Sequence, residues 1–251
     1  MELSLYKELL LLGVIFVFSV IGGITGIGIA TIVIPLLILL GVSLPFAKAT
    51  ALWVNVSIMS YSVFRRRRLI KWYLALPLVV SAFLLAPLGA KVSFFIPARV
   101  QLLLLATVVL ASALLILYLK PKPRVSGITR FGFIKVGAVV GAVAGFLGGM
   151  LGIGGGIIAN PILIVLGFAP VEVTTVSALM VLLSSLSGWA TYTYFGYFSY
   201  KWALPLLIAA LGGSYVGNRL SERFSRETLR RVVAYFAIFV SLITYLKAIT
   251  L

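Results

Sequence analysis

Ten long apolar segments determine what this chain can fold into. They are 13 to 23 residues long, against the roughly 20 that a helix needs to cross a bilayer, and short polar stretches separate them. With 62% hydrophobic residues and a mean hydropathy of +1.20, the chain is predicted to be an all-α polytopic membrane protein. The segments are residues 9–21, 27–40, 47–64, 72–90, 100–119, 133–147, 153–166, 173–195, 202–216 and 232–246.

A glycine-rich element occurs twice, at residues 22–35 and 148–161. The two copies share five glycine or isoleucine positions and a proline at a constant offset, and further glycine, proline and threonine pairs follow in the same order, such as Thr50 with Thr175. Ordered matches along both halves indicate an internal duplication. We therefore predict an N-terminal membrane repeat (1–119), a basic, proline-rich linker (120–131) and a C-terminal membrane repeat (132–251).

The basic residues predict the orientation of the repeats. Five segments per half is an odd number, so the halves should be inverted relative to each other, and fifteen of the 21 lysines and arginines then fall on one side. The positive-inside rule makes that side cytoplasmic and both termini extracytoplasmic, in the cell inner (plasma) membrane. Because these charges lie in short loops beside apolar spans, the net charge of +16 indicates contact with the lipid bilayer and not with nucleic acid.

Residue types that the sequence lacks limit the reactions and metal sites that the chain can support. The sequence has no aspartate, histidine or cysteine, which excludes thiol chemistry, imidazole or thiolate metal sites and a serine-histidine-aspartate triad. The five glutamates lie at or outside predicted helix ends, so coupling to a cation through a buried carboxylate is disfavoured. We expect no enzymatic activity, no catalytic residues, no metal and no cofactor.

The glycine-rich elements are the predicted binding site. Segments 27–40 and 153–166 have about fourteen residues, short of the roughly twenty that a span needs, which favours re-entrant or broken helices; two spanning helices are the alternative. Glycines just before such a helix leave backbone N–H groups uncovered, and a helix N-terminus binds anions. Inverted repeats would bring two such ends together near the midplane. The candidates are Gly26, Gly28, Gly152, Gly154, Gly155 and Gly156; close helix packing is the alternative role for these glycines.

Polar residues within the apolar segments are the second set of candidates. Asn160 lies one turn into its short helix, and the remainder occupy corresponding regions of the two halves: Thr50, Trp53, Asn55, Ser57, Thr175, Ser177 and Trp189, with Ser184 and Ser185 nearby. Serine and threonine in such helices usually bond their own backbone, which is the alternative for each of them. Lys48 is interpreted as snorkelling to the interface, and attraction of an anion to the outer vestibule is the alternative. The aromatic cluster at residues 192–202 is interpreted as an interfacial belt.

These motifs resemble the sulfite exporter TauE/SafE family. The resemblance rests on the runs from Gly26-Ile27-Gly28 to Pro35 and from Gly152-Ile153-Gly154-Gly155-Gly156 to Pro161, and it covers residues 9–246. The first copy has Ile29 and Ala30 where the family commonly has further glycines. The resemblance implies a permease for a small sulfur-containing anion such as sulfite, sulfoacetate or another organosulfonate, without fixing the direction of transport.

The resemblance and the residues agree on a small anionic substrate. We expect a secondary transporter that binds its substrate near the midplane and moves it by alternating access as the two halves rock. An anion channel and a non-transporting assembly subunit are the alternatives. The coupling ion and the oligomeric state stay open.

Overall fold

A computed structural model of the chain describes residues 5–25, 29–118, 130–168, 170–220 and 226–249. These residues form ten α-helices, joined in three places by a single 3-10 turn. The helices are α1 (Leu5–Thr25), α2 (Ala30–Leu39), α3 (Leu44–Arg66), α4 (Trp72–Val92), α5 (Ala98–Tyr118), α6 (Arg130–Leu151), α7 (Gly156–Val165), α8 (Pro170–Tyr194), α9 (Ala203–Leu220) and α10 (Arg226–Ile249). Each corresponds to one predicted apolar segment. Most of the predicted linker lies outside the described residues.

Several helices are long and apolar enough to cross a membrane. Four such windows occur in the described residues: Trp72–Phe95, Ala98–Leu115, Ile134–Leu151 and Glu172–Tyr194. On α4 the side chains of Leu76, Val80, Leu84 and Leu88 form an exposed stripe at a spacing of four residues. A stripe of this kind suits contact with lipid tails. The prediction of a polytopic helical membrane protein is confirmed.

The helices that follow the glycine-rich elements are half-length. α2 and α7 have 10 residues each, so each is about 15 Å long, about half the thickness of a bilayer core. α2 packs on α3, and α7 packs on α8. Pro35 and Pro161 lie inside these helices and do not end them. The prediction of short, broken segments at the glycine-rich elements is therefore confirmed.

The repeats are inverted, as the direction of equivalent helices demonstrates. α3 and α8 occupy matching positions in the two halves and pack against each other. Lys48, near the start of α3, lies over the ring of Tyr192, near the end of α8, and the rings of Trp53 and Trp189 are 4.8 Å apart. Residue numbers therefore rise along α3 as they fall along α8, so the two helices are antiparallel.

Helices from different halves also pair in parallel. α6 packs along α4 through Gly137, Gly141, Gly145 and Gly149, which lie against successive turns of α4 from Leu74 to Ala86. We call these four residues the glycine seam. In the symmetry-related pair, Gly213 and Gly217 of α9 lie against the backbone of α1 at Phe16 and Val20. Small residues at four-residue spacing let helix backbones approach closely in a membrane.

One ion pair marks an end of the bundle. The Lys71 ammonium, just before α4, pairs with the Glu172 carboxylate in the first turn of α8. The basic loop after α3 therefore lies at the same end as the start of α8. The start of α5 and the end of α6 lie at the opposite end, where Lys48 reaches both Gln101 and Met150.

Candidate functional site

A turn of glycines connects α6 to the half-helix α7. Gly152, Gly154 and Gly155 have φ angles of +77°, +71° and +77°, a region that other L-residues adopt only at a cost of about 1–2 kcal/mol each. The turn is closed on α6, because the N–H groups of Ile153 and Gly154 both donate to the Gly148 carbonyl, at 2.8 and 3.3 Å. We call residues 152–155 the glycine turn.

The glycine turn opens onto the N-terminus of α7. Gly155 is the N-cap residue and provides no side-chain hydrogen bond to the helix. In the described part of the chain, the N–H groups of Gly156 and Ile157 have no hydrogen-bond acceptor. Such N–H groups, together with the helix dipole, place about half a positive charge at this point.

Asn55 of α3 joins both glycine-rich elements. Its Oδ1 accepts from the N–H of Ala30 at the start of α2 (3.3 Å), and its Nδ2 donates to the carbonyl of Ile153 in the glycine turn (3.2 Å). Asn55 is fully buried. Its amide therefore links the start of α2 to the turn that leads into α7. This structural role is additional to the predicted binding role.

Two neighbouring serines of α8 face the glycine turn differently. The Ser184 hydroxyl donates to the Gly154 carbonyl at 2.9 Å. Ser185 is fully buried, its Oγ has no hydrogen-bond partner among the described residues, and it lies where a β-carbon on Gly154 would sit. The turn thus has one serine that fixes its backbone and one with an unused hydroxyl directed at it.

Two more unpartnered polar groups lie deeper between α7 and α8. Gly156 packs against Val181, and one turn beyond this contact come Asn160 on α7 and Ser177 on α8. Both residues are buried, and Asn160 Oδ1 and Ser177 Oγ have no partner within the described ranges. Because the helices are consecutive and antiparallel, the register places the two groups at a similar depth, below the glycine turn.

The predicted tryptophans lie towards the end of the bundle that carries Lys48. Trp53 Nε1 donates to the Ala203 carbonyl at 2.8 Å, whereas the buried Trp189 Nε1 has no partner among the described residues. Both rings also contact Phe198. Trp53, Trp189 and Phe198 therefore form one aromatic group.

The structure does not place the remaining candidates at the glycine turn. Ser57 donates to the carbonyl of Trp53 on its own helix, at 3.0 Å. Thr50 is half-buried and Thr175 is buried, and neither is among the residues found against the glycines of the turn. Gly26 and Gly28 lie outside the described residues.

Comparison with protein families identifies the family of this chain. The family model described as sulfite exporter TauE/SafE matches residues 11–244, nearly the whole chain. The chain belongs to the TauE/SafE family. No curated protein in the comparison matches it. As a member of a family of membrane transporters for sulfur anions, the chain is a multi-pass membrane transporter.

The sequence interpretation of Lys48 in this TauE/SafE protein is wrong. Lys48 does not snorkel to the interface: it is 2% exposed, and its ammonium donates to the Met150 carbonyl at 2.6 Å and to Gln101 Oε1. Gln101 is held by its own donations to the carbonyls of Ser93 and Ile96, both at 2.6 Å. The signal for this site was the spacing of Lys48 from Asn55, which places both on one face of α3.

The belt interpretation of the aromatic cluster is only partly correct. Tyr194, Phe195 and Tyr200 are exposed, as a belt requires. Tyr192 is fully buried, and its hydroxyl donates to the Gly149 carbonyl (3.0 Å) and lies 2.9 Å from Ser93 Oγ. Lys48 and Tyr192 therefore both satisfy carbonyls at the C-terminal end of α6, just before the glycine turn.

Proposed function

We propose that this TauE/SafE protein binds a small sulfur-containing anion, such as sulfite, sulfoacetate or another organosulfonate, at the glycine turn and the N-terminus of α7. The observation that carries the proposal is the combination of backbone N–H groups at Gly156 and Ile157 with the buried hydroxyl of Ser185. None of these donors has an acceptor among the residues that the structure describes. A bound anion would supply those acceptors.

The chemistry of sulfite and sulfonates suits such a site. Their oxygens accept hydrogen bonds from N–H and O–H donors as phosphate oxygens do, and a helix N-terminus adds favourable electrostatics. Because the donors are neutral, the anion can leave without breaking a tight ion pair. Trp189 Nε1 is a further donor on the route from the aromatic end of the bundle.

We propose alternating access as the transport mechanism. The antiparallel pair α3 and α8 relates the halves, and Asn55 joins the starts of α2 and α7. Rocking of one repeat (1–119) against the other (132–251) about this junction would expose the site to each side in turn. By the positive-inside rule, the end of the bundle with Lys71 faces the cytoplasm when the protein lies in the plasma membrane.

The first test is anion binding by purified protein in detergent. Sulfite, sulfoacetate, taurine, thiosulfate, sulfate, phosphate and chloride are compared by their effect on the midpoint of thermal unfolding, which a ligand specific for the folded state raises. We expect a sulfur anion to stabilise the wild type. Ser185→Ala should weaken its binding about tenfold, because hydrogen bonds to charged groups contribute about 1.5–3 kcal/mol.

Ser62→Ala is the matched control, since Ser62 on α3 is another buried serine whose hydroxyl has no partner in the described residues. If Ser185→Ala responds to the anions as Ser62→Ala does, the site assignment fails. Proteoliposomes that take up the same anion with saturation and without unitary currents would support a carrier. Unitary currents would instead indicate a channel.

A further inference from the structure

Lys48 is a buried lysine whose amine is held by uncharged groups. Its contacts are the Met150 carbonyl, Gln101 Oε1 and the face of the Tyr192 ring, 5.8 Å from the ammonium to the ring centroid. Within the described residues the ammonium has no carboxylate partner, whereas Lys71 pairs with Glu172 at the other end of the bundle. A charge inside a membrane protein is costly and usually functional.

The groups around Lys48 solvate the ammonium without neutralising it. Gln101 donates both hydrogens of Nε2 to the carbonyls of Ser93 and Ile96, which fixes its Oε1 towards Lys48. The Met150 carbonyl lies in the last turn of α6, where the helix dipole is negative. These carbonyl and amide oxygens hold the lysine amine in place, and as hydrogen-bond acceptors they favour its protonated form.

The Lys48 side chain lies next to the glycine turn. The Lys48 stem packs against Gly152, leaving no room for a β-carbon there. Asn55, which binds Ile153 of the turn, follows Lys48 by two turns of α3, about 10 Å along the helix. The Lys48 side chain therefore lies at the start of the turn, and its amine is separated from the far end of the turn by about 10 Å of protein interior.

We propose that Lys48 is a positioning residue that also supplies the net positive charge of the site, so that the site selects an anion over a neutral molecule of the same shape. The inference rests on the proposed function and deepens it. The dipole of α7 already favours an anion over a neutral acceptor at the glycine turn. The charge of Lys48 strengthens that preference.

The test is the Kd for sulfite, measured by calorimetry on the purified full chain. Lys48→Met keeps the length of the side chain and removes the charge. We expect sulfite to bind about tenfold more weakly, the size of a charge interaction across about 10 Å at an intermediate dielectric. Lys91→Met is the matched control: Lys91 is an exposed lysine in the last turn of α4, at the same end of the bundle, and its loss should change the Kd less than twofold.

A second pair of variants separates charge from folding. Gln101→Glu and Gln101→Met both remove the donations to Ser93 and Ile96, but only the glutamate places a negative charge beside the Lys48 ammonium. We expect Gln101→Glu to weaken sulfite binding as Lys48→Met does. Gln101→Met should retain most of the affinity at a similar loss of thermal stability.

The outcomes separate the two proposals. If the wild type binds sulfite and Lys48→Met binds it equally well, the inference about Lys48 is overturned and the proposed function stands. Equal weakening in Gln101→Glu and Gln101→Met also overturns it, and decides the matter even if Lys48→Met fails to fold. If the wild type binds neither sulfite nor any other sulfur anion of the panel, both proposals fall.

Discussion

The glycine seam and the glycine turn use the same residue for different physical reasons. In the seam, Gly141, Gly145 and Gly149 are helical, and a β-carbon on any of them would collide with the backbone of α4. In the turn, Gly154 and Gly155 have positive φ angles. The seam needs the absence of a side chain, whereas the turn also needs a backbone conformation that other residues resist.

The glycine seam and the glycine turn are adjacent along the chain, and the turn starts from the helix end that the seam holds. The seam ends at Gly149, where α6 is pressed against α4, and Lys48 and Tyr192 bond the carbonyls of Met150 and Gly149 immediately afterwards. The turn begins two residues later. A rigid helix end thus carries a turn whose donors must be held in place to bind an anion.

Breaking the seam should have the largest effect. Gly145→Ala places a methyl group against the Cα and carbonyl of Ala82, which can move only if α4 and α6 separate. We expect a loss of about 3 kcal/mol in the free energy of unfolding, at the upper end for overpacking, seen as a lower midpoint of thermal unfolding. Gly13→Ala is the control, because a β-carbon on Gly13 has open space around it. Equal midpoints for the two variants would contradict the seam.

A change in the glycine turn should lower the stability less than a change in the glycine seam does. It should lower the affinity for sulfite more. Gly154→Ala pays about 1–2 kcal/mol for its positive φ, and its methyl group meets the Ser185 hydroxyl and lies 3.0 Å from Val181 Cγ1. Those neighbours are side chains, which yield more readily than backbone. We expect a folded protein whose thermal midpoint no longer rises with sulfite. A variant that still responds to sulfite as the wild type does would remove the turn from the site.

The double variant Gly154→Ala/Ser185→Ala sharpens this test. Removing the hydroxyl relieves the collision, so the pair should be more stable than the sum of the single changes predicts. Because the donor is also gone, sulfite binding should not return. Recovery of binding in the double variant would indicate that Ser185 obstructs the site and does not bind the substrate.

The sequence predicted the architecture well because architecture depends on local patterns. Apolar segment lengths gave the helices, and the short segments after the glycines became the half-helices α2 and α7. The role of Lys48 could not be read this way. Its partners Gln101 and Met150 are 53 and 102 residues distant in sequence, and only the packing of α3, α5 and α6 brings them together. Ser184 and Ser185 were likewise indistinguishable until the turn was in place.

The smallest predicted effect separates those two serines. Ser184→Ala removes the hydrogen bond to the Gly154 carbonyl, and we expect it to cost about 1 kcal/mol of stability. Ser185→Ala removes a buried hydroxyl without a partner in the described residues, so stability should be unchanged or slightly higher. Sulfite binding should show a larger loss for Ser185→Ala, because that hydroxyl is the one free to donate. If the two variants lose stability equally, Ser185 has a partner in the protein and its hydroxyl is not reserved for an anion.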